Sequence, residues 1–168
     1  MKTAIRVTIS AVLACVVLLA ASSASANDDK KGPKLTASAI QVKMIESSEV
    51  QLPMAFQLAL YENLVDQLNK SGKFQHVYRD GDKAAADASD VVVLSSNVTG
   101  FKQGSEEARQ VTTVKGATHI KVHVTFSDKS GKSELEQDVT GNVYFLGGNL
   151  RATYDFAKKV AQIVTEHF

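Results

Sequence analysis

The sequence predicts an α+β domain of two layers, in which a mixed sheet of about five strands carries two helices on one face. Five short apolar segments, most of them with alternating apolar and polar residues, are typical of strands, and two longer segments repeat apolar residues every third or fourth position. Along residues 37–168 they follow the order β-α-β-β-β-β-α. The first strand–helix–strand passage should cross over right-handedly to give a parallel pair, and the later strands should be joined by hairpins.

The first strand and helix occupy residues 37–72. Ile40, Val42 and Met44 alternate with polar neighbours, which predicts a strand with one buried face. Pro53 suits the first turn of a helix, and Gly72 suits its C-terminal cap. The apolar stripe between them is wide, as in a helix that lies flat on a sheet, and comprises Met54, Phe56, Leu58, Leu60, Tyr61, Leu64, Val65 and Leu68.

The middle strands follow a short strand at 74–78 and a polar connection at 79–90. Residues 91–94 are four apolar residues without alternation, which predicts a strand covered on both faces that continues to Phe101. From Ala117 the alternation is clean as far as Phe126. After a turn at 128–131, the return strand should point four side chains inward, namely Leu135, Val139, Val143 and Phe145.

The pairing within this last hairpin follows from the side-chain alternation. Both apolar sets share a face only if paired residue numbers sum to an odd number. A tight two-residue connection predicts Lys121 opposite Asp138 and His123 opposite Glu136, whereas a bulge at Gly131 would shift this register.

The final helix should run from about Leu150 to Glu166. Gly147-Gly148 breaks the preceding strand, and Asn149 is a candidate N-cap. The predicted buried stripe comprises Tyr154, Ala157, Val160, Ala161 and Val164.

Residues 1–26 have the features of a cleaved signal peptide. Lys2 and Arg6 precede an uncharged apolar run, and Ala24-Ser25-Ala26 has the small side chains of a cleavage site. The run is about 15 residues, shorter than the roughly 20 that span a bilayer. We therefore expect a periplasmic or secreted protein with no integral membrane segment after cleavage, a flexible tether at 27–36 and a single domain at 37–168.

Cys15 opens the alternative of a lipid anchor, because bacterial lipoproteins are cleaved just before a lipidated cysteine. Leu13 stands where a small residue is expected, and the apolar run continues beyond Cys15. Both features favour an ordinary residue of the signal peptide.

Charge argues against a nucleic-acid partner. Without Lys2 and Arg6 the chain has 17 basic and 18 acidic residues, a net charge of −1. A nearly neutral domain has no strong field to attract a phosphate backbone or anionic lipid.

The residue pattern predicts no catalytic group, metal site or cofactor. His119 and His123 lie on one strand about 13 Å apart, too far for a shared metal ion. The chain after residue 26 has neither a cysteine nor a G-x-S-x-G motif for nucleophilic catalysis. The row Glu134, Glu136 and Asp138 is typical of a solvated strand face.

Two segments are candidates for ligand or partner binding. A long polar loop follows the third strand, and loops between strong strands often carry function; its candidates are Gly100, Phe101, Gly104 and Arg109. The second segment is the glycine turn before the last helix, where backbone N–H groups could bind an anion, and its candidates are Gly147, Gly148 and Arg151.

The same positions carry a resemblance to a bacterial envelope family known as domain of unknown function 4410. The likeness rests on G-F-x-x-G at 100–104, Arg109, Gly116-Ala117, D-x-x-G-K at 128–132 and Gly147-Gly148, and it covers roughly residues 37–166. More distantly, the chain resembles α/β domains of envelope assembly factors such as the amino-terminal domain of TolB, many of which are lipid-anchored.

The resemblance implies no catalytic residues. Together with the residue pattern, it favours a non-enzymatic accessory protein that binds another envelope protein. The alternatives are a protein that binds a small ligand or anion and, third, an enzyme with titratable groups in the Gly100–Arg109 region.

Overall fold

A computed structural model describes residues 34–112, 116–144 and 147–168. The elements in chain order are β1 (Ala39–Val42), α1 (Met54–Ser71), β2 (His76–Tyr78), α2 (Lys83–Asp87), β3 (Val91–Lys102), α3 (Glu106–Val111), β4 (Thr118–Ser127), β5 (Ser133–Val143) and α4 (Arg151–His167). The predicted α+β fold class with a five-stranded mixed sheet is confirmed. The signal peptide at 1–26, Cys15, most of the tether and Phe145 lie outside the described residues.

The strand order across the sheet is β2-β1-β3-β4-β5. β1 is parallel to β2, as predicted, and also to β3, whereas β4 is antiparallel to β3 and β5. The predicted hairpin between β2 and β3 is therefore wrong. The reason is that β3 begins with Val91 and Val92, which are both buried, so this strand is stabilised at the centre of the sheet and not at an edge.

The core lies between one face of the sheet and the two long helices. α1 and α4 contact each other and the sheet, and both have wide buried faces. The largest fully buried side chains come from every layer of this arrangement and include Ile40, Leu60, Leu64, Leu94, Ile120, Phe126 and Phe156. Burial of each such side chain stabilises the fold by about 1.5–3 kcal/mol.

The helical stripes differ from the predicted ones at the helix starts. Met54 and Leu58 of α1 are 78% and 55% exposed, although the prediction placed them in the core. Tyr154 of α4 is also exposed. The buried face of α4 includes Phe156 and Ile163 and is therefore rotated about the helix axis from the predicted stripe. The other predicted stripe residues of α1 are buried, and Gly72 ends α1 with a left-handed φ of 63°.

The β4–β5 hairpin pairs His123 with Asp138 and Lys121 with Thr140, so the predicted register is wrong by two residues. The turn is longer than assumed. Asp128 Oδ1 accepts hydrogen bonds from the backbone N–H groups of Ser130 and Lys132, at 2.8 and 3.0 Å, and a register shift follows at Ser127. The parity rule still holds, since Val139 is buried with Val122.

The upper end is the end of the sheet at which β1, β2, β3 and β5 finish and β4 begins. The lower end is the opposite one, which carries the turn at 128–132, and the outer face is the sheet face opposite α1 and α4. The short helix α2 lies beside the outer face, because Ala85 is buried and lines one cleft with Gln41 and Val93.

Candidate functional site

Arg109 joins three segments of two loops at the upper end. Its Nη1 atom donates to Gly116 O at 2.6 Å and to Asn149 Oδ1 at 2.8 Å, and its Nη2 atom donates to Gly147 O at 2.8 Å. The Arg109 side chain is 1% exposed. We call Arg109, Gly116, Gly147 and Asn149 the Arg109 clamp, since one guanidinium connects α3, the turn before β4 and the turn before α4.

The clamp depends on a close approach between two backbone segments. A Cβ atom on Gly104 would lie 1.9 Å from Gly116 O, and Gly116 has a φ of 93°. Glycine at both positions allows the loop after β3 to lie against the turn before β4. Ser105 then caps α3 by accepting a hydrogen bond from the backbone N–H of Ala108 at 3.1 Å.

Buried polar groups complete the clamp. Thr118 is fully buried, and its Oγ1 atom accepts from the Gly104 N–H at 2.9 Å and donates to Asn149 Oδ1 at 2.7 Å. The sequence predicted that Asn149 caps α4, but its side chain belongs to the clamp instead. The residue at the N-cap is Leu150, which makes no side-chain cap bond.

A carboxylate of the protein itself lies at the amino end of α4. Glu106 Oε1 accepts the backbone N–H of Asn149 at 2.9 Å and lies 4.0 Å from Arg109 Nη2. This is the kind of position at which a helix start attracts an anion. Anion binding at the Gly147–Arg151 turn remains a prediction, and a bound anion would have to share this position with Glu106.

The structure brings most of the predicted site residues together. Gly104, Arg109 and Gly147 are within the clamp or touch it, and the Cβ position of Gly148 would be 3.7 Å from Glu106 Oε1. The Arg151 side chain lies over Gly147, since a Cβ atom on Gly147 would be 2.3 Å from Arg151 Cδ.

Two predicted residues lie apart from the clamp. Phe101 packs edge-on against Phe56 of α1, with ring centroids 4.7 Å apart. Gly100 lies in β3 opposite Lys121, next to a bulge that follows Val98. This bulge changes the alternation of β3, so Phe101 points to the helix face, as Val98 does.

The chemistry of the clamp is structural. Carbonyl and amide oxygens of the chain itself accept the Arg109 donors, and Arg109 Nε is buried without an acceptor among the described residues. The described residues contain no group of three or more His, Cys, Asp and Glu side chains that could hold a metal ion. Within the same residues, no helix has the length and apolar character needed to cross a membrane.

The upper end is apolar on its surface. Seven large hydrophobic side chains of the described residues are exposed, and all of them lie at this end: Met44, Met54, Leu58, Val111, Tyr144, Leu150 and Tyr154. They follow β1 and β5, end α3, or lie in the first turns of α1 and α4. The described turns of the lower end, 72–75, 88–90 and 128–132, contain no such side chain.

Sequence reasoning missed this surface because four of its side chains were assigned to the core: Met54, Leu58 and Tyr154 to buried helical stripes, and Met44 to the buried face of the first strand. One signal was available, since Met54 and Leu150 stand at the very start of their helices, where a helix extends beyond the sheet below it. The Arg109 clamp contributes directly, because it holds the ends of α3 and α4 that carry Val111 and Leu150.

A groove at the upper end connects two of the exposed aromatic residues. It has a volume of about 320 Å³ and is lined by Tyr144 and Tyr154 together with Arg151, Asp155 and Lys158, among others. The Lys158 ammonium lies 6.0 Å from the centre of the Tyr154 ring. Aromatic rings flanked by cationic side chains suit a mixed apolar and polar contact.

Asp80 fixes the loop that carries Met44. Its carboxylate accepts from Lys43 Nζ at 2.7 Å and from the Met44 N–H at 3.1 Å. The hydrogen bond from Lys43 is the main cause that lowers the pKa of Asp80, and the Met44 N–H lowers it further. The carboxylate is therefore ionised and bonded at neutral pH.

Comparison with known proteins adds a family and a fold. A family model described as Domain of unknown function (DUF4410) matches residues 19–148 and confirms the predicted resemblance. The PelC dodecamer from Paraburkholderia phytofirmans is similar in structure, with a TM-score of 0.59 at 19% identity over 81% of this chain and 92% of that chain. The hypothetical protein CT253 from Chlamydia trachomatis is similar with a TM-score of 0.52 at 8% identity, over 77% and 94% of the two chains. Among curated proteins, none matches this sequence.

Proposed function

From the premise that this chain belongs to the DUF4410 family, a family described as a domain of unknown function, we propose that it is an exported accessory protein of the bacterial cell envelope. It acts without catalysis by binding another envelope protein, and the apolar upper end is the contact surface. The observation that carries the proposal is that all seven large exposed hydrophobic side chains of the described residues gather at one end.

The composition of the upper end supports a protein partner. Large exposed apolar side chains that gather on one part of a surface are typical of an interaction site, whereas single exposed apolar residues are scattered on most proteins. Tyr, Met and Arg are enriched in the centres of protein interfaces, and the upper end has Tyr144, Tyr154, Met44, Met54 and Arg151.

Export is supported by the first 26 residues, whose charged start, apolar run and Ala24-Ser25-Ala26 site are those of a signal peptide. The envelope is the compartment in which such a protein would meet its partner. Location in the periplasm and cleavage after Ala26 are parts of this proposal.

A second candidate is self-assembly through the same end. PelC, which is similar in fold, forms a dodecamer. In that case the partner would be a second copy of this chain, and the apolar upper end would be buried between copies.

Site-specific photo-crosslinking in living bacteria tests the proposal. A photoreactive amino acid is placed at Leu58, Val111 or Leu150 at the upper end, and at Lys73 or Lys129 at the lower end as matched exposed controls. We expect an adduct with one defined envelope protein from the upper positions alone. Adducts from the lower positions alone, or from none, would overturn the proposal, and adducts with this chain itself would favour self-assembly.

The identified partner is then purified and titrated against the protein. Replacing both Leu58 and Leu150 with serine should weaken binding by about tenfold or more, since burial of one leucine side chain contributes about 1.5–3 kcal/mol. The melting temperature should stay near that of the parent protein, because both side chains are exposed. Unchanged affinity would exclude this surface.

A further inference from the structure

We propose that the lower half of the β5 edge binds an extended segment rich in lysine or arginine from a partner protein, which adds a strand to the sheet. This surface is separate from the apolar upper end, and the inference goes beyond the proposed function. It rests on the open backbone groups of β5, on a groove beside them and on the charge of the strand.

The side chains of α4 show which backbone groups of β5 point outward. Thr140 O accepts a hydrogen bond from Lys159 Nζ at 2.7 Å, and the Asn142 N–H donates to Asp155 Oδ2 at 2.9 Å. Both groups therefore point away from β4. The N–H and C=O of one strand residue lie on the same side and alternate along the strand, so the backbone groups of Glu136 and Asp138 also point away from β4.

The edge is closed in its upper half and open in its lower half. Asp155 and Lys159, an ion pair at 2.7 Å, occupy the outward N–H of Asn142 and the outward C=O of Thr140. Within the described part of the chain, no hydrogen bond reaches the backbone N–H or C=O of Glu136 or Asp138. Such a row of unpaired groups is a template for an added strand.

A groove runs beside the open half. It has a volume of about 360 Å³ and lies between β5 and α4, with Gln137, Gln162 and Glu166 at its sides. Val139 and Ile163 also line it and are 4% and 7% exposed. An added strand would direct alternate side chains into this groove, and small or β-branched apolar residues fit there.

The acidic side chains of β5 favour a basic partner segment. Three exposed acidic residues follow one another along this half of β5, and we call Glu134, Glu136 and Asp138 the acidic row. Glu136 and Asp138 face Thr125 and His123 of β4, whereas Glu134 stands at the register shift next to the turn. The side chain of β4 that lies against them is His123, whose Nδ1 lies 2.7 Å from Asp138 Oδ1 and whose Nε2 lies 3.8 Å from Glu136 Oε2. The other basic residue of this part of β4, Lys121, faces Thr140. Lysine or arginine at alternate positions of an added strand would pair with the acidic row.

A second copy of this chain fits the edge poorly. Two β5 strands placed side by side would bring two acidic rows together, and like charges that face each other across strands are destabilising. The acidic row thus opposes self-pairing and favours a basic segment.

The test uses the full domain after residue 26 and a short blocked peptide that alternates lysine with valine. Amide exchange measured by NMR should slow at Glu136 and Asp138 when the peptide is added. A peptide that alternates glutamate with valine should not bind. Binding of the glutamate peptide with equal affinity, or no protection at these two amides, would overturn the inference.

Two variants at one position separate edge pairing from simple charge attraction. Glu136→Gln removes one charge and should weaken the lysine peptide about two- to fivefold. Glu136→Pro removes the same charge and also the outward N–H, and proline is tolerated at an outward position of an edge strand. This variant should weaken binding at least about tenfold more than Glu136→Gln, with a melting curve that shows a folded protein.

Equal affinities of the two variants would refute strand addition. Dimerisation of the parent protein that disappears in Glu136→Pro would refute the choice of partner. Leu150→Ser, at the upper end, should leave the peptide affinity unchanged, so failure of this inference and failure of the proposed function are distinguishable.

Discussion

Replacement of Arg109 by methionine should destabilise the domain strongly while leaving its surface almost unchanged. Methionine retains the unbranched apolar stem of arginine, and the side chain is 1% exposed in the parent. The three hydrogen bonds to Gly116 O, Gly147 O and Asn149 Oδ1 are lost. Asn149 Oδ1 keeps its bond from Thr118, so the two backbone carbonyls lose the partner that the clamp supplies.

A buried acceptor left without a partner costs about 1–3 kcal/mol. Gly147 is exposed, so water can replace part of its lost bond, and removal of a buried charge offsets another part. We therefore expect a loss of about 3 kcal/mol in the free energy of unfolding. For a domain of this size that corresponds to a fall in melting temperature of about 10 °C.

Thermal unfolding followed by circular dichroism measures this loss, and urea unfolding measures it independently. Gln110→Met is the matched control, because Gln110 is the exposed neighbour on the same helix and should melt within about 2 °C of the parent. If Arg109→Met melts as the control does, the clamp does not hold the two loops together and the structural role assigned to Arg109 is wrong.

Three further predictions concern single residues. Gly141→Ala should lower the free energy of unfolding by about 1–3 kcal/mol in urea titrations. The reason is that a Cβ atom there would lie 2.1 Å from Ala152 O and 2.7 Å from Phe156 Cβ. Stability equal to that of the parent would show that β5 and α4 can separate without loss of stability. Thr118→Val keeps the shape of a fully buried side chain but leaves the Gly104 N–H without its acceptor. The free energy of unfolding should fall by about 2 kcal/mol in the same titration. An unchanged free energy would show that this hydrogen bond does not stabilise the clamp. Asp80→Asn tests pH dependence: the pKa of Asp80 is lowered, so its carboxylate stabilises the fold above its unfolded pKa, and this contribution disappears as the pH falls through the lowered value. The difference between the urea midpoints of parent and variant should therefore be largest near pH 7 and shrink below about pH 4, and a difference that grows in acid would contradict the assignment.

The fold class could be predicted because periodicity reports burial locally. The alternation through β4 and the four-residue repeat from Phe56 to Leu68 each follow from one buried face, and a single glycine, Gly72, ends α1 before β2. The order of the five strands and two long helices and the parallel pairing of β1 with β2 follow from the same local patterns. The short helices α2 and α3 were missed, since they lie in segments predicted to be a polar connection and a polar loop.

Long-range pairing could not be predicted in this way. β3 could pair with β2 or with β1. The choice depends on which arrangement buries both Val91 and Val92, which point to opposite faces of β3, and that is a property of the whole sheet. The register of β4 and β5 depended on the length of a turn that the Asp128 side chain organises.

For the candidate site, the sequence by itself determined which residues were unusual: the glycines at 100, 104, 147 and 148, Phe101, and the arginines at 109 and 151. Only the tertiary structure decided what they do. In the folded protein Arg109 points inward and holds two loops together, and Phe101 points to the core. The first turns of α1 and α4 extend beyond the sheet, so their apolar side chains are exposed. The physical reason is that periodicity shows which side of an element is apolar, whereas exposure depends on whether another element lies against that side, and this is decided by contacts between residues far apart in the chain.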